Sequence, residues 1–246
     1  MRRLRHPARH HPALWMILAC LLGPGATAAG KEKPTPPTVR WDEASPGCTF
    51  SHSADGKYHY SLWSGDVGVT LSVDAQEVEK VHRRHEPFFG VLLSVRYRGS
   101  GTLDVGSGGV SLEFVKHFKV IEPALDPVAF SEKVQNDADE IDHQAAREVE
   151  KHPEEKEKKE AYVRAFQKDV VELLEFVSKN SLRSGQLDPA NLEVRGWVLF
   201  SASSKWIGSW KKQEEFVLRV PIEGKIFEFP FKLPPQEGEL LLRKRE

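Results

Sequence analysis

Short runs of alternating apolar and polar residues occupy most of this chain, and one long interval breaks the pattern. Tyr58, Tyr60 and Leu62 alternate with more polar neighbours. Val67, Val69, Leu71 and Val73 do so against Gly68, Thr70 and Ser72, and Val91, Leu93, Val95 and Tyr97 against Ser94, Arg96 and Arg98. Successive side chains of a strand point to opposite faces, so each run predicts a strand with one buried face. Gly99-Ser100-Gly101 and Gly106-Ser107-Gly108-Gly109 turn the chain on either side of a short segment at 102–105. Residues 110–120 read as the next strand, with Val110, Leu112 and Phe114 inward. Runs of this kind build antiparallel sheets.

The period then changes. Asp126-Pro127 is a helix start, with Asp as N-cap and Pro at the first helical position. Phe130, Val134, Ala138, Ile141, Ala145 and Val149 follow at spacings of three or four, the stripe of one helix. His152-Pro153 ends it and opens a second, with Tyr162, Phe166, Val170, Leu173, Leu174 and Val177 as its apolar set. Residues 150–160 between them are charged at nine of eleven positions. Two antiparallel helices of this length, roughly 35 Å each, form an αα-hairpin. The stripes are narrow enough to be buried against one another, which predicts a projecting hairpin with a charged tip. Val163, Val171 and Phe176 leave room for partial packing on a sheet.

Strands return after residue 190. Leu192-Glu193-Val194 leads through Gly196 into 197–200; Phe216, Leu218 and Val220 alternate, and Gly224 turns into Ile226, Phe227, Phe229 and Phe231. A sheet cut by the helices would keep unpaired edges. Early and late strands therefore read as one mainly β unit: an antiparallel β-sandwich over 47–126 and 183–246, with a helical hairpin inserted at 127–182. The runs Gly68-Val69-Thr70-Leu71-Ser72-Val73, Val91-Leu92-Leu93-Ser94-Val95-Arg96-Tyr97, Val110-Ser111-Leu112-Glu113-Phe114 and Gly196-Trp197-Val198-Leu199-Phe200 resemble those of immunoglobulin-like sandwiches in exported bacterial proteins, acidobacterial ones among them. The resemblance implies an Ig-like fold and an extracellular binding or accessory role, and transfers no active site. The inserted hairpin and the lack of a disulfide depart from the usual pattern.

The N-terminus follows neither period. Arg2, Arg3, Arg5 and Arg9 precede an apolar run at 13–22, Gly23-Pro24-Gly25 breaks it, and Ala26-Thr27-Ala28 has the small-x-small form of a cleavage site. Residues 1–29 thus read as a signal peptide, too short to span a bilayer, with a mature start near Ala29 or Gly30. Ile17-Leu18-Ala19-Cys20 is also lipobox-like and offers lipid anchoring through Cys20 as the alternative. The address is periplasmic or extracellular. Residues 30–46, with Pro34, Pro36, Pro37 and Pro46, read as a flexible Pro-rich linker. Cys48 is then the only remaining cysteine, which suits a small buried hydrophobe.

Charge narrows the partners. Four of the 35 Lys and Arg residues and none of the 36 acids lie in the leader, so the rest is net acidic by five. All of that excess falls on 127–182, which argues against nucleic acid and for a protein partner or self-association through the hairpin. The excess sits chiefly on the first helix around Asp137, Asp139, Glu140 and Asp142, with Asp139 and Glu140 as the candidate contacts. Lys205, Trp206, Trp210 and Lys211 form a second candidate surface, since paired tryptophans among lysines can stack a carbohydrate ring or a peptide. His82-Arg83-Arg84-His85 places two histidines at i,i+3, but the arginines would repel a cation. No Gly-x-Ser-x-Gly elbow or phosphate-binding glycine loop occurs, and no cofactor is expected. The expectation is an exported, non-catalytic envelope protein that acts by binding. The alternative is an envelope-polymer hydrolase whose site is assembled from distant residues.

Overall fold

The computed structural model describes residues 36–117, 120–202 and 212–233. The chain is mainly β. Strands β1 (Thr38–Arg40), β2 (Cys48–His52), β3 (Lys57–Ser64) and β4 (Val67–Asp74) come first, then a short helix α1 (Glu77–Arg83) and the long strand β5 (Phe88–Tyr97). Next come β6 (Leu103–Val105), β7 (Ser111–Phe114) and β8 (Val120–Pro123). Helices α2 (Pro127–Lys151) and α3 (Lys156–Asn180) follow, joined by a 3-10 turn at Pro153–Glu155. β9 (Gly185–Leu187), β10 (Glu193–Ser201), β11 (Glu214–Ile222) and β12 (Lys225–Leu233) come last. Among the described residues, no helix is long and apolar enough to cross a membrane.

Two sheets of five strands carry the architecture, in the orders β10-β5-β4-β3-β2 and β1-β12-β11-β7-β8, and β6 pairs with β9 in a small third ladder. The late strands complete sheets begun by the early ones: β10 runs antiparallel to β5 with Val194 opposite Val95, and β11 runs antiparallel to β7 with Leu218 opposite Leu112. The inner faces of both sheets share one core, as the alternation predicts. Val69, Leu71, Val91, Leu93, Val110 and Leu112 are buried there. Four phenylalanines tie the layers together: Phe216 lies 4.8 Å from Phe89, 5.2 Å from Phe231 and 5.6 Å from Phe114, centroid to centroid. Each contributes about 1.5–3 kcal/mol by burial. Cys48 is buried in the same core with a free thiol.

Three local departures have physical causes. Within the span read as a linker, Thr38–Arg40 is a strand that runs parallel to β12, with Val39 packed on the core and Arg40 paired to Glu228. It covers what would otherwise be an open sheet edge. The run at 110–120 is two strands, since the chain turns after Phe114 and β8 folds back on β7. The segment around His82 is helical, because Val78 and Val81 are buried one turn apart.

The helices begin and end where their local chemistry demands. The Asp126 carboxylate accepts from the amides of Val128 (3.0 Å) and Ala129 (2.9 Å), an N-cap ahead of Pro127. His152-Pro153 interrupts, since proline cannot continue the hydrogen-bond ladder. The pair does not simply project. Phe130, Val134 and Ala138 of α2 share a second core with Phe166, Val170 and Val177 of α3, and with Phe88 and Leu199 on the outer face of the β10-β5 sheet. Nearer the 3-10 turn the helices have mainly each other: Ile141, Ala145 and Val149 are half-buried. Tyr162, placed in the apolar stripe by its spacing, is 52% exposed, and Val163 takes the buried position. Leaving α3, the chain lies directly on β10, where the Leu182 amide donates to the Trp197 carbonyl at 2.8 Å. A Cβ on Gly196 would stand 2.4 Å from Leu182 Cα, so glycine alone fits there.

Candidate functional site

The corner between α1 and β5 is pinned from inside. Glu77 is 1% exposed, and its carboxylate accepts from the Gly90 amide at 2.7 Å and from Arg84 at 2.6 Å. Arg84 also donates to the Phe88 carbonyl, and its guanidinium lies 3.8 Å above the Phe88 ring. Burial pushes the Glu77 pKa up, while Arg84 and the Gly90 amide pull against it. Each carboxylate oxygen has a donor, Oε2 from Arg84 at 3.3 Å, the condition under which a buried carboxyl group is tolerated. Residues 84–88 are thereby held in one shape.

That corner faces the helices across a cleft of about 250 Å³. Its apolar surface comes from Phe88 of the sheet, Val134 of α2, and Phe166, Val170 and Leu173 of α3. Its rim is charged: Arg83, Arg84, His85 and Glu86 on the corner side, Asp137 and Asp169 on the helices. Lys133 bridges the two sides, with its Nζ 2.8 Å from Glu86 Oε2 and 2.8 Å from Asp137 Oδ2. The hydrogen bond from Lys133 holds Asp137 below the usual carboxylate range, and the same bonds, to Asp137 first, raise Lys133. The His85 ring meets Phe166 edge-on at 5.2 Å. An apolar concavity with a few fixed charges on its lip is how proteins hold small amphipathic groups.

Most of the residues singled out from sequence lie elsewhere. Asp139 and Glu140 are exposed on α2, and each accepts from a glutamine one turn away, Gln135 and Gln144, both at 2.9 Å. Neither lines the cleft. Asp137, two residues earlier, does, because it flanks the Val134–Ala138 stripe. Lys205, Trp206, Trp210 and Lys211 lie outside the described residues. Of the His82–His85 pair, only His85 reaches the cleft. Glu77, Glu86 and Asp169 carried no motif, and Arg84 appeared only within the His82–His85 run; their positions beside apolar stripes are the one further sequence signal they have.

A second polar group sits on β3 and β4. His59 has Nδ1 2.7 Å from Ser72 Oγ and Nε2 3.1 Å from Ser53 Oγ, and burial lowers its pKa. Asp55 bonds the Ser53 hydroxyl and Lys57, and makes no bond to the imidazole. A histidine working as general base is normally oriented by a carboxylate on its second nitrogen. Here a buried serine hydroxyl occupies that place. Among the described residues, no cluster of three or more His, Cys, Asp or Glu is arranged to hold a metal ion.

No protein-family model matches this chain, no curated protein matches its sequence, and no solved structure matches its fold.

Proposed function

We propose that the chain is an exported, non-catalytic binding protein of the cell envelope. We read it as an immunoglobulin-like β-sandwich carrying α2 and α3 as an inserted hairpin over residues 127–182. It binds in the cleft where the hairpin meets the α1–β5 corner, and the exposed acidic face around Asp139 and Glu140 serves as a contact for a protein partner. The observation that supports this reading is the cleft itself, with five apolar side chains left open beneath a rim that Lys133 ties across, to Glu86 on one side and Asp137 on the other. A merely structural contact between helices and sheet would close such a gap, since interiors pack to near-crystalline density. Export rests on the charged, apolar and small-x-small pattern of the first 29 residues.

The test is a fragment screen by amide NMR, with neutral, anionic and cationic fragments, on the wild-type protein and on Val170→Trp. The larger ring fills the cleft. Shifts that cluster on Val134, Phe166 and Leu173 and vanish in the variant are expected. Fragments that leave those residues unmoved, or that bind the filled variant equally well, would overturn the reading. A mature N-terminus at Ala29 or Gly30 in material recovered from outside the cytoplasm is the expected result for export. A hydrolase reading draws on the Ser53–His59 contact, and the engagement of Asp55 with Ser53 and Lys57 counts against it.

A further inference from the structure

The charges around the cleft do not cancel, and their imbalance names a ligand class. On the corner side each cation is already spent. Arg84 is paired with the buried Glu77, and Arg83 with Glu79 one turn back along α1. On the helix side a single ammonium, Lys133, serves two carboxylates, Glu86 and Asp137. Asp169 lines the cleft and is exposed, and among the described residues it makes no ion pair. Two carboxylate charges are therefore left over, and a protonated His85 would cancel only one of them. Beneath them lie Val134, Phe166, Val170 and Leu173, which offer no polar partner to a ligand and reward an apolar stem. Phe166 also presents an aromatic ring, and the protein already stacks a guanidinium on the Phe88 ring of the same cleft.

We infer that the cleft takes a small organic cation, a protonated amine on an apolar stem, with the ammonium at Asp169 and Asp137 and the stem against Phe166, Val170 and Leu173. The inference rests on the cleft being a binding site, as proposed above, and adds which chemistry it selects. A cleft of about 250 Å³ that opens to solvent has room for an amine on a short alkyl stem. An anion of the same length would meet two uncompensated carboxylates and, among the described residues of the cleft, no Lys or Arg without an ion pair.

The experiment compares hexylamine, hexanoate and hexanol at equal concentration on the intact protein, by amide and methyl NMR titration. Hexylamine should perturb Val134, Phe166, Val170 and Leu173 and bind at least about tenfold more tightly than hexanoate, as expected when like charges are set against a ligand. Asp169→Asn should weaken hexylamine about threefold, the scale of an exposed ion pair, and added salt should weaken it further. Asp169→Lys should abolish the preference. Asp169 is exposed, so both variants keep the fold, which the dispersion of the spectra checks. Hexanoate binding as well as hexylamine, or hexylamine indifferent to Asp169→Asn, would overturn the inference and leave the cleft as a binding site of another class. Equal binding of hexanol would do the same. Failure of all three probes, together with an empty fragment screen, would remove the binding reading itself.

Discussion

The molecule has two hydrophobic cores, and they differ in how completely they are filled. Between the sheets, Phe89, Phe227 and Phe229 have no exposed surface, and Phe114 and Phe216 are 1% exposed. Under the helices, Phe88, Phe166 and Val170 keep 6–8% and border an open cleft. Geometry explains the contrast. Two sheets are broad surfaces of equal width, and side chains from both faces interlock. Two helices laid on the outer face of an already complete sheet cover it unevenly, and the α1–β5 corner closes only part of the remaining wedge. The inner core holds the fold, and the incomplete outer one leaves room for a ligand.

Mutations should separate the two cores in order of effect. Phe216→Ala, in the middle of the phenylalanine stack, should cost about 4 kcal/mol in chemical denaturation, within the range for large aromatic deletions in a packed core. A cost below about 1 kcal/mol would show that the sheets do not depend on that stack. Glu77→Ala leaves the Gly90 amide without its acceptor and Arg84 without its counter-ion, and should cost about 3 kcal/mol. The same variant should broaden or shift the NMR signals of residues 84–88; an unchanged corner would mean that it is held by something other than Glu77. Phe166→Ala faces the cleft, where the cavity left behind opens to solvent, and should cost about 2 kcal/mol, less than its inner counterpart. Equal costs for Phe166→Ala and Phe216→Ala would erase the distinction.

The smallest effect is one of pH. Burial lowers the His59 pKa below its ordinary 6.5, with Asp55 opposing and Arg195, Lys57 and His52 reinforcing the shift. The folded state therefore prefers the neutral imidazole. Its contribution is complete above pH 6.5 and is lost as the pH falls below that value. Thermal midpoints measured from pH 7.5 to 5 should decline more steeply for the wild type than for His59→Gln. Parallel curves would remove His59 from the account.

Elements governed by neighbours in sequence were legible from the residues alone. The period-two runs at 67–73 and 91–97 are strands with the expected faces buried, although Gly68, Ser72, Leu92 and Ser94 on the opposite faces are buried too, and Asp126-Pro127 starts a helix that His152-Pro153 ends. The long helices illustrate the limit. Spacing identified their stripes, yet Tyr162 and Val163 are adjacent and either can face inward on a helix. The choice fell to Val163, which lies beside Ala145, Ala146 and Val149 of α2, while Tyr162 stacks on Phe166 at the surface. The acidic face was visible in the charge count, and Asp137 flanks the apolar stripe more closely than Asp139 does, but only packing shows that Asp137 lines a cleft while Asp139 bonds Gln135 in solvent.

The sequence by itself determined the mainly β character and the two long helices with their limits, because each depends on periodicity, caps and turns that act over a few residues. Only the tertiary structure decided the parallel docking of Thr38–Arg40 on β12, the seating of α2 and α3 on the outer face of β5 and β10, and the cleft they leave. Those features join residues far apart in the chain. Lys133 meets Glu86 across 47 positions, and Arg219 meets Glu113 across 106. Local pattern dictates which face of an element is apolar. Which other face it meets, and how well the two fit, is settled only when the whole chain packs.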